Sequence, residues 1–98
     1  MVPTVSIIIN TFNRARSLAR TLESLSWLRY EKFEVVVVNG PSTDDTTSVL
    51  DAYAYRIKIG SCSDANLSIS RNVGLAMASG EIVAYLDDDA IPEPDWLN

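Results

Sequence analysis

The sequence has no histidine and only one cysteine, Cys62, among its 98 residues. A single cysteine cannot form an intrachain disulfide, so nothing in the chain requires an oxidising compartment. No metal-ligand spacing accompanies Cys62, and we interpret it as a small buried apolar residue without chemistry of its own. We therefore expect a cytoplasmic protein.

Long apolar runs and an excess of basic residues are also missing. Apolar runs are short, as in residues 35–38, and fall far below the roughly 20 residues that span a bilayer. The 13 acidic and 8 basic residues give a formal net charge of -5, so the chain as a whole offers no electrostatic footprint for nucleic acid or an anionic membrane. With four glycines, four prolines and 47% hydrophobic residues, the composition indicates one globular domain rather than disorder.

Short β-branched segments alternate with amphipathic ones along the chain. Leucines spaced by three and four over residues 18–28 predict a first helix. The second helix is predicted to be capped by Ser42 or Thr43, and the third to cover residues 66–78 with Gly80 as its C-terminal cap. Four strands are predicted, over residues 4–9, 33–38, 56–60 and 81–86. This alternation predicts an α/β fold, a Rossmann-like open parallel sheet of about four strands with helices on both faces.

Three polar segments follow predicted strands, at residues 10–13, 39–42 and 87–89. In open parallel sheets, ligands bind beyond the carboxyl ends of the strands, so these segments should converge. The last segment is a run of three acids whose mutual repulsion is relieved by solvent or by a cation. Mg²⁺ or Mn²⁺, bound by one or two carboxylates and by substrate phosphates, suits such a site. A solvated acidic turn is the alternative.

Four motifs stand out by their order and spacing. VSIIINTFNR at residues 5–14 combines a strand with a turn, and TLESL at residues 21–25 lies in the first predicted helix. FEVVVVNGPSTDDT covers residues 33–46, and SRNVGLAMASGEIVAYLDDD covers residues 70–89. Together these motifs resemble those of glycosyltransferase family two, including its DxD motif, and the resemblance extends over the whole chain.

The resemblance implies a GT-A fold, of which residues 1–98 would form the N-terminal nucleotide-sugar-binding portion of an incomplete domain. The parent enzyme would transfer a sugar from a nucleoside diphosphate sugar to an acceptor hydroxyl, with inversion and with Mg²⁺ or Mn²⁺ as cofactor. Inversion needs a general base, and no residue within 90–98 fits that role. We expect the base, the acceptor site and any membrane-associated region in further sequence, and we expect this chain alone to bind a donor without turnover.

The resemblance also implies roles for individual residues. Thr11 and Phe12 would pack at the nucleobase, where an aromatic ring can stack. Asn13 and Arg14 would reach the nucleotide or its phosphates. Arg71 would face the diphosphate, because a guanidinium donates two hydrogen bonds to a phosphate. The alternatives are a core position for Phe12 and solvated helix positions for the two arginines.

Within the acidic motif, the resemblance assigns metal coordination to Asp89 and Asp87. It places Asp87 or Asp88 near the ribose of the nucleotide.

The sequence departs from the family pattern at two places. Asn10 stands where the family has proline, which we expect to alter only the local turn. Asn39 and Gly40 replace two aspartates, so the carboxylate that reads a uracil edge in related enzymes is missing. Asn39 has both a donor and an acceptor and could pair with a base edge instead, which leaves the identity of the base open.

Two other classes of small α/β protein fit this sequence poorly. A receiver-like phosphosignalling domain needs acids directly after the first strand, and a dinucleotide-binding Rossmann domain needs GxGxxG there; residues 10–13 provide neither. The main alternative is a noncatalytic fragment that associates with itself through an exposed sheet edge. Metal-dependent nucleotide binding would distinguish donor binding from such a module.

Overall fold

Strands and helices alternate along residues 3–98, the part of the chain that the computed structural model describes. The elements are β1 (Val5–Thr11), α1 (Ala15–Leu25), β2 (Phe33–Asn39), α2 (Thr46–Tyr53), β3 (Lys58–Ser61), α3 (Leu67–Met77) and β4 (Ile82–Asp87). Every strand and helix predicted from the sequence is therefore present. Within this range, no helix combines the length and the apolar content needed to cross a membrane.

All four described strands run parallel in one sheet, in the order β3-β2-β1-β4. β1 lies inside the sheet, with Val5 opposite Phe33 of β2 on one side and Ile82 of β4 on the other. Its apolar residues at positions 7–9 have 0% exposed surface, as expected for a strand that is covered on both faces. β4 is an edge strand whose outer side pairs with no other strand in residues 3–98.

Helices cover both faces of the sheet, as the alternating pattern predicts. On one face, Leu18 of α1 and Leu50 of α2 join Ile7 in the larger apolar cluster. On the other face, α3 packs over Ile8, which belongs to a smaller cluster. Cys62 lies buried and free in that smaller cluster, in agreement with its interpretation as a small apolar residue. The layers therefore have the arrangement of a Rossmann-like α/β domain.

The predicted start of the second helix is wrong. α2 begins at Thr46, and no side chain caps it from Ser42 or Thr43. The Asp44 carboxylate accepts hydrogen bonds from the backbone N–H and the hydroxyl of Thr46. Asp44 therefore lies before the helix, and its carboxylate satisfies the N–H of the first helical residue, which has no partner within α2.

The predicted cap of the third helix is also wrong. α3 ends at Met77, and its C-cap is Ala78 rather than Gly80. Gly80 does not have the positive φ of a glycine cap. It lies instead against β1, where a Cβ atom would stand 2.8 Å from the backbone nitrogen of Ser6. The glycine is thus explained by close packing of two backbone segments.

Strand ends differ from the predicted ones by one or two residues. β1 and β2 continue to Thr11 and Asn39, and β4 continues to Asp87. The first polar residues of the predicted site therefore belong to the hydrogen-bonded sheet, which fixes their backbone positions.

Near the amino ends of the strands, the Glu34 carboxylate joins β2 to three other segments. It accepts hydrogen bonds from the Ser6 hydroxyl (2.5 Å) and from the backbone N–H and hydroxyl of Ser79 (2.6 and 2.9 Å). The Lys58 ammonium lies 2.7 Å away, and only 13% of the Glu34 side chain is exposed. Burial raises the pKa of the Glu34 carboxyl, but these donors outweigh burial and lower the pKa from 4.5 to about 2.

Because this pKa is lower in the folded than in the unfolded chain, Glu34 should stabilise the protein in a pH-dependent way. The contribution is present above about pH 4.5 and is lost as the pH falls toward 2, with an upper limit of about 3 kcal/mol. We expect Glu34→Gln to lower the free energy of unfolding at neutral pH and to flatten its decline in acid. Urea denaturation across this pH range measures both effects.

Glu81→Gln, which replaces an exposed carboxyl, is the matched control for Glu34→Gln. If Glu34→Gln lost stability in acid as steeply as the unaltered protein, the carboxylate of Glu34 would not be the group responsible.

Candidate functional site

A cavity of about 490 Å³ opens at the carboxyl edge of the sheet. The ends of β1, β2 and β4 form one side of it, and the loop after β3 with the start of α3 forms the other. The lining residues are Asn10, Thr11, Phe12, Arg14, Gly40, Asp64, Ala65, Asn66, Leu67, Ser70, Asp87, Asp88 and Asp89. Each of the three predicted strand-end segments therefore contributes to one cavity.

The acidic segment at the end of β4 is fixed to α1 by a buried hydroxyl. Thr21, which has 0% exposed surface, donates hydrogen bonds to the carbonyl oxygens of Asp88 (3.1 Å) and Ala90 (2.7 Å). The Asp88 side chain is 13% exposed, whereas that of Asp89 is 58% exposed. The neighbouring acids therefore meet different surroundings, and Asp89 is much the more accessible of the two.

Arg14 stands beside two of these acids. Its Nε atom is 3.9 Å from the Asp88 carboxylate, and its Nη1 atom is 3.7 Å from the Asp89 carboxylate. Burial raises the pKa of the Asp88 carboxyl above its ordinary value, Thr11 and Arg14 oppose this rise, and the neighbouring acids add to it. Arg14 therefore favours the ionised form of Asp88, although burial and the neighbouring acids outweigh this effect.

The Thr11 hydroxyl is a buried polar group at the cavity. It is close enough to Asp88 to lower the pKa of that carboxyl. Even so, no protein atom satisfies both the distance and the angles of a hydrogen bond to it. Buried hydroxyls in folded proteins nearly always have a partner. The buried Thr11 hydroxyl therefore faces the Asp88 carboxyl rather than open solvent.

Within residues 3–98, no group of three or more histidine, cysteine, aspartate or glutamate side chains converges on a metal position. The acidic segment does not form a complete protein cage. Mg²⁺ at substrate phosphates, however, needs only one or two carboxylates from the protein, and residues 87–89 supply oxygen ligands of this kind. The side chains present fit a divalent ion that is shared with a bound phosphate.

Phe12 and Gly40 form an apolar wall of the cavity. The Gly40 N–H donates to the carbonyl oxygen of Thr11 at 2.8 Å, which joins the ends of β1 and β2. The Phe12 side chain lies so close that a Cβ atom on Gly40 would be 3.3 Å from Cδ1 of its ring. Phe12 is 43% exposed, so it is not the core residue that one alternative proposed. Its ring offers an apolar surface beside the cavity.

The loop after β3 forms a wall that the sequence motifs did not indicate. Asp64 and Asn66 line the cavity together with Ser70 of α3. The Ser70 hydroxyl donates to the side-chain oxygen of Asn10 at 2.6 Å, so Asn10 does more than alter the turn, contrary to expectation. The predicted parallel sheet gave one signal for this loop. A loop that follows a third parallel strand must emerge at the same edge of the sheet as the ends of the other strands.

Three predicted nucleotide-binding residues lie outside the cavity lining. The side-chain oxygens of Asn13 and Asn39 both accept hydrogen bonds from the loop after β2, each at 2.7 Å. Arg71 lies on α3, with its guanidinium carbon 5.3 Å from the centre of the Tyr85 ring. The predicted residues that the structure brings together are Thr11, Phe12, Arg14, Asp87, Asp88 and Asp89.

A parallel α/β sheet with a polar cavity and an acidic strand end at its carboxyl edge defines a Rossmann-like protein of the GT-A class. The sequence profile described as Glycosyl transferase family 2 matches residues 6–98. The chain belongs to this family, which confirms the resemblance seen in its motifs.

Relatives of known name are glycosyltransferases. The chain is 36% identical to the validoxylamine A glucosyltransferase of Streptomyces hygroscopicus subsp. jinggangensis, over 98% of the chain and 24% of that protein. It is 34% identical to the glucosyl-dolichyl phosphate glucuronosyltransferase of Haloferax volcanii, over 95% of the chain and 31% of that protein. The chain thus spans between 24% and 31% of the length of these two relatives.

Solved structures show the same fold. TarS of S. aureus in complex with UDP matches with a TM-score of 0.86 and 32% identity, over 96% of the chain and 30% of the matched one. The mannosyltransferase PcManGT of Pyrobaculum calidifontis, in complex with GDP-Man and Mn²⁺, matches with a TM-score of 0.85 and 30% identity, over 94% of the chain and 29% of the matched one. These similarities confirm the Rossmann-like GT-A fold.

Proposed function

We propose that this chain binds the nucleoside diphosphate sugar donor of a glycosyltransferase. The observation that carries the proposal is that one cavity is lined by the exposed Phe12 ring, by Thr11 and by the acids at residues 87–89. An aromatic ring suits a nucleobase, and carboxylates that share a divalent ion suit a diphosphate. The similar structures in complex with UDP and with GDP-Man and Mn²⁺ support this reading.

Each lining residue has a role in the proposal. Phe12 stacks on the base, and Thr11 packs beside the base. Asp88, which is mostly buried beside Thr11, lies near the ribose. Arg14 pairs with the diphosphate, since its guanidinium is always charged and already lies beside the acids. Arg71 lies beside the Tyr85 ring and outside the cavity lining, so its role at the diphosphate stays a prediction.

The proposed cofactor is Mg²⁺ or Mn²⁺, held by Asp89 and Asp87 together with the diphosphate. Bound there, the ion neutralises the negative charge that the leaving diphosphate carries. The exposure of Asp89 makes its carboxylate accessible to an ion arriving with the donor.

For the parent enzyme we propose transfer of the sugar to an acceptor hydroxyl with inversion. The residues of this chain bind and orient the donor, and we assign the general base to none of them. The named relatives give no support to the alternative of a noncatalytic module. Self-association through the open edge of β4 and a cytoplasmic location stay predictions.

Calorimetric titration of the chain with UDP, GDP and dTDP tests donor binding. Each diphosphate is added once with Mn²⁺ and once with EDTA. We expect at least one of them to bind in Mn²⁺ and to lose that binding in EDTA, because carboxylates without the ion repel the diphosphate. Circular dichroism shows whether the protein stays folded in EDTA. A folded chain that binds none of the three diphosphates would contradict the proposed function.

A further inference from the structure

Asn13 has an unusual backbone conformation at the rim of the cavity. Its φ of 53° makes it the one non-glycine residue with positive φ in the described part of the chain. Asparagine is among the few residues that tolerate this left-handed region. Asn13 directly follows Phe12, so its conformation helps to set the direction in which the chain leaves the apolar wall.

Reciprocal hydrogen bonds tie Asn13 to the loop after β2. Its Oδ1 atom accepts from the backbone N–H groups of Thr43 (2.7 Å) and Asp44 (3.3 Å). Its own backbone N–H donates to the hydroxyl oxygen of Ser42 at 3.0 Å, and that hydroxyl donates to Oδ1 of Asn39 at 2.7 Å. We call these five residues the loop clasp.

The loop clasp also fixes the start of α1. The Asp44 carboxylate accepts a hydrogen bond from the backbone N–H of Ala15, the first residue of that helix, at 3.2 Å. Side chains from each loop thus accept hydrogen bonds from the backbone of the other. Such cross-bonding holds the two loops as one unit, since neither can shift without losing partners.

The apolar wall lies directly next to the loop clasp. Phe12 precedes Asn13 in the chain, and Gly40 follows Asn39. The ring of Phe12 lies against Gly40, and the backbone bond from Gly40 to Thr11 closes the contact. The spacing between the two loops therefore decides where the ring of Phe12 stands in the cavity.

We propose that Asn13 is a positioning residue for base recognition, holding Phe12 against Gly40, and that it does not itself contact the nucleotide. Its acceptor oxygen is already occupied by two N–H groups, and it does not line the cavity. The proposal rests on the proposed donor binding for its effect on affinity, but the positioning of Phe12 can be observed without any nucleotide.

Asn13→Gly is the variant that isolates the carboxamide, because glycine keeps the positive φ without strain. Asn13→Asp retains both an acceptor oxygen and tolerance of that conformation, and should largely preserve the native behaviour. Asn98→Gly makes the same chemical change at an exposed residue outside the cavity lining and serves as the matched control.

The affinity for two probes separates positioning from direct contact. With Mn²⁺ present, we expect Asn13→Gly to weaken binding of the preferred nucleoside diphosphate about tenfold, the effect of losing hydrogen bonds of ordinary strength. Binding of inorganic pyrophosphate, which has no base, should stay unchanged. An equal loss for both probes would show that Asn13 acts on the phosphates, and an unchanged affinity for the nucleotide would equally overturn the proposal.

An NMR measurement without nucleotide or metal tests the positioning itself. We expect Asn13→Gly to weaken the nuclear Overhauser effect between the Phe12 ring and the Gly40 α-protons and to speed amide exchange at Thr43. If the native contact of Phe12 with Gly40 persisted in Asn13→Gly, the proposal would fail even if donor binding were confirmed. If the unaltered chain bound no nucleotide, the proposed function would fail while this measurement still decided the role of Asn13.

Discussion

Replacement of Asp89 by alanine is expected to abolish most of the Mn²⁺-dependent affinity for a nucleoside diphosphate. The accessible carboxylate of Asp89 is the one that we assign to the ion, with Asp87 as the second protein ligand. Loss of a mere hydrogen-bonding partner of a metal ligand lowers metal affinity by about 10–100-fold, so loss of a ligand should reach about 100-fold or more. Calorimetric titration in Mn²⁺ measures this change, and the residual affinity should match that of the unaltered chain in EDTA.

Asp51→Ala is the control for this experiment. Asp51 is an exposed residue of α2 outside the cavity lining, so the variant makes the same change of net charge without touching the site. If Asp89→Ala and Asp51→Ala bound the diphosphate equally well, the ion would have to be held elsewhere in the acidic segment or not at all.

The largest expected effect on stability comes from Gly80→Ala. A Cβ atom at this position would lie 2.7 Å from the hydroxyl oxygen of Ser6, 2.8 Å from its backbone nitrogen and 2.9 Å from the carbonyl carbon of Val5. Two of these atoms belong to the backbone of β1 and cannot shift without disturbing its pairing. The substitution also threatens the hydrogen bond from the Gly80 N–H to the Ser6 hydroxyl, at 2.8 Å. We expect the free energy of unfolding to fall by about 2–3 kcal/mol in urea denaturation.

Gly60→Ala provides the contrast. A Cβ atom there would lie 2.5 Å from the sulfur of Met77, which is the end of a flexible side chain. Methionine can rotate out of the way, so the loss of stability should stay below about 1 kcal/mol. Equal losses at the two glycines would show that the rigid backbone around Gly80 is not the cause.

The fold followed from patterns that depend on near neighbours in the sequence. Leu18 and Leu25 share a helix face because of their spacing, and the β-branched runs around Ile8 and Val36 could be buried only inside a sheet covered on both sides. The same alternation brought the residues after β1, β2 and β4 to one edge. Thr11, Phe12 and the acidic run were therefore found from sequence.

What could not be predicted depends on contacts between distant residues. The carboxamide of Asn13 could have faced a ligand or the loop after β2, and only the folded arrangement shows that it faces the loop. Asp44 could have stood inside the first turn of α2, but it precedes the helix and its carboxylate accepts from Thr46, the first helical residue. Position 80 requires glycine because Ser6, which is distant in the sequence, lies too close for a side chain there. Asp64 carries no motif, and the predicted strand order pointed only to its loop, so the structure was needed to single out this residue.

The interior position of β1 in the sheet also determines the order in which the protein can fold during its synthesis. Val5 pairs with Phe33 on one side but with Ile82 on the other, so the second partner is made about 50 residues after the first. At about 5–20 residues per second, the ribosome needs roughly 2–10 seconds for that stretch. For this time a strand whose centre is the apolar run Ile7–Ile9 has one unpaired edge, which is the kind of edge that recruits strands from other chains. A nascent chain that stalls before Ile82 therefore keeps this edge of β1 open to pairing with other chains.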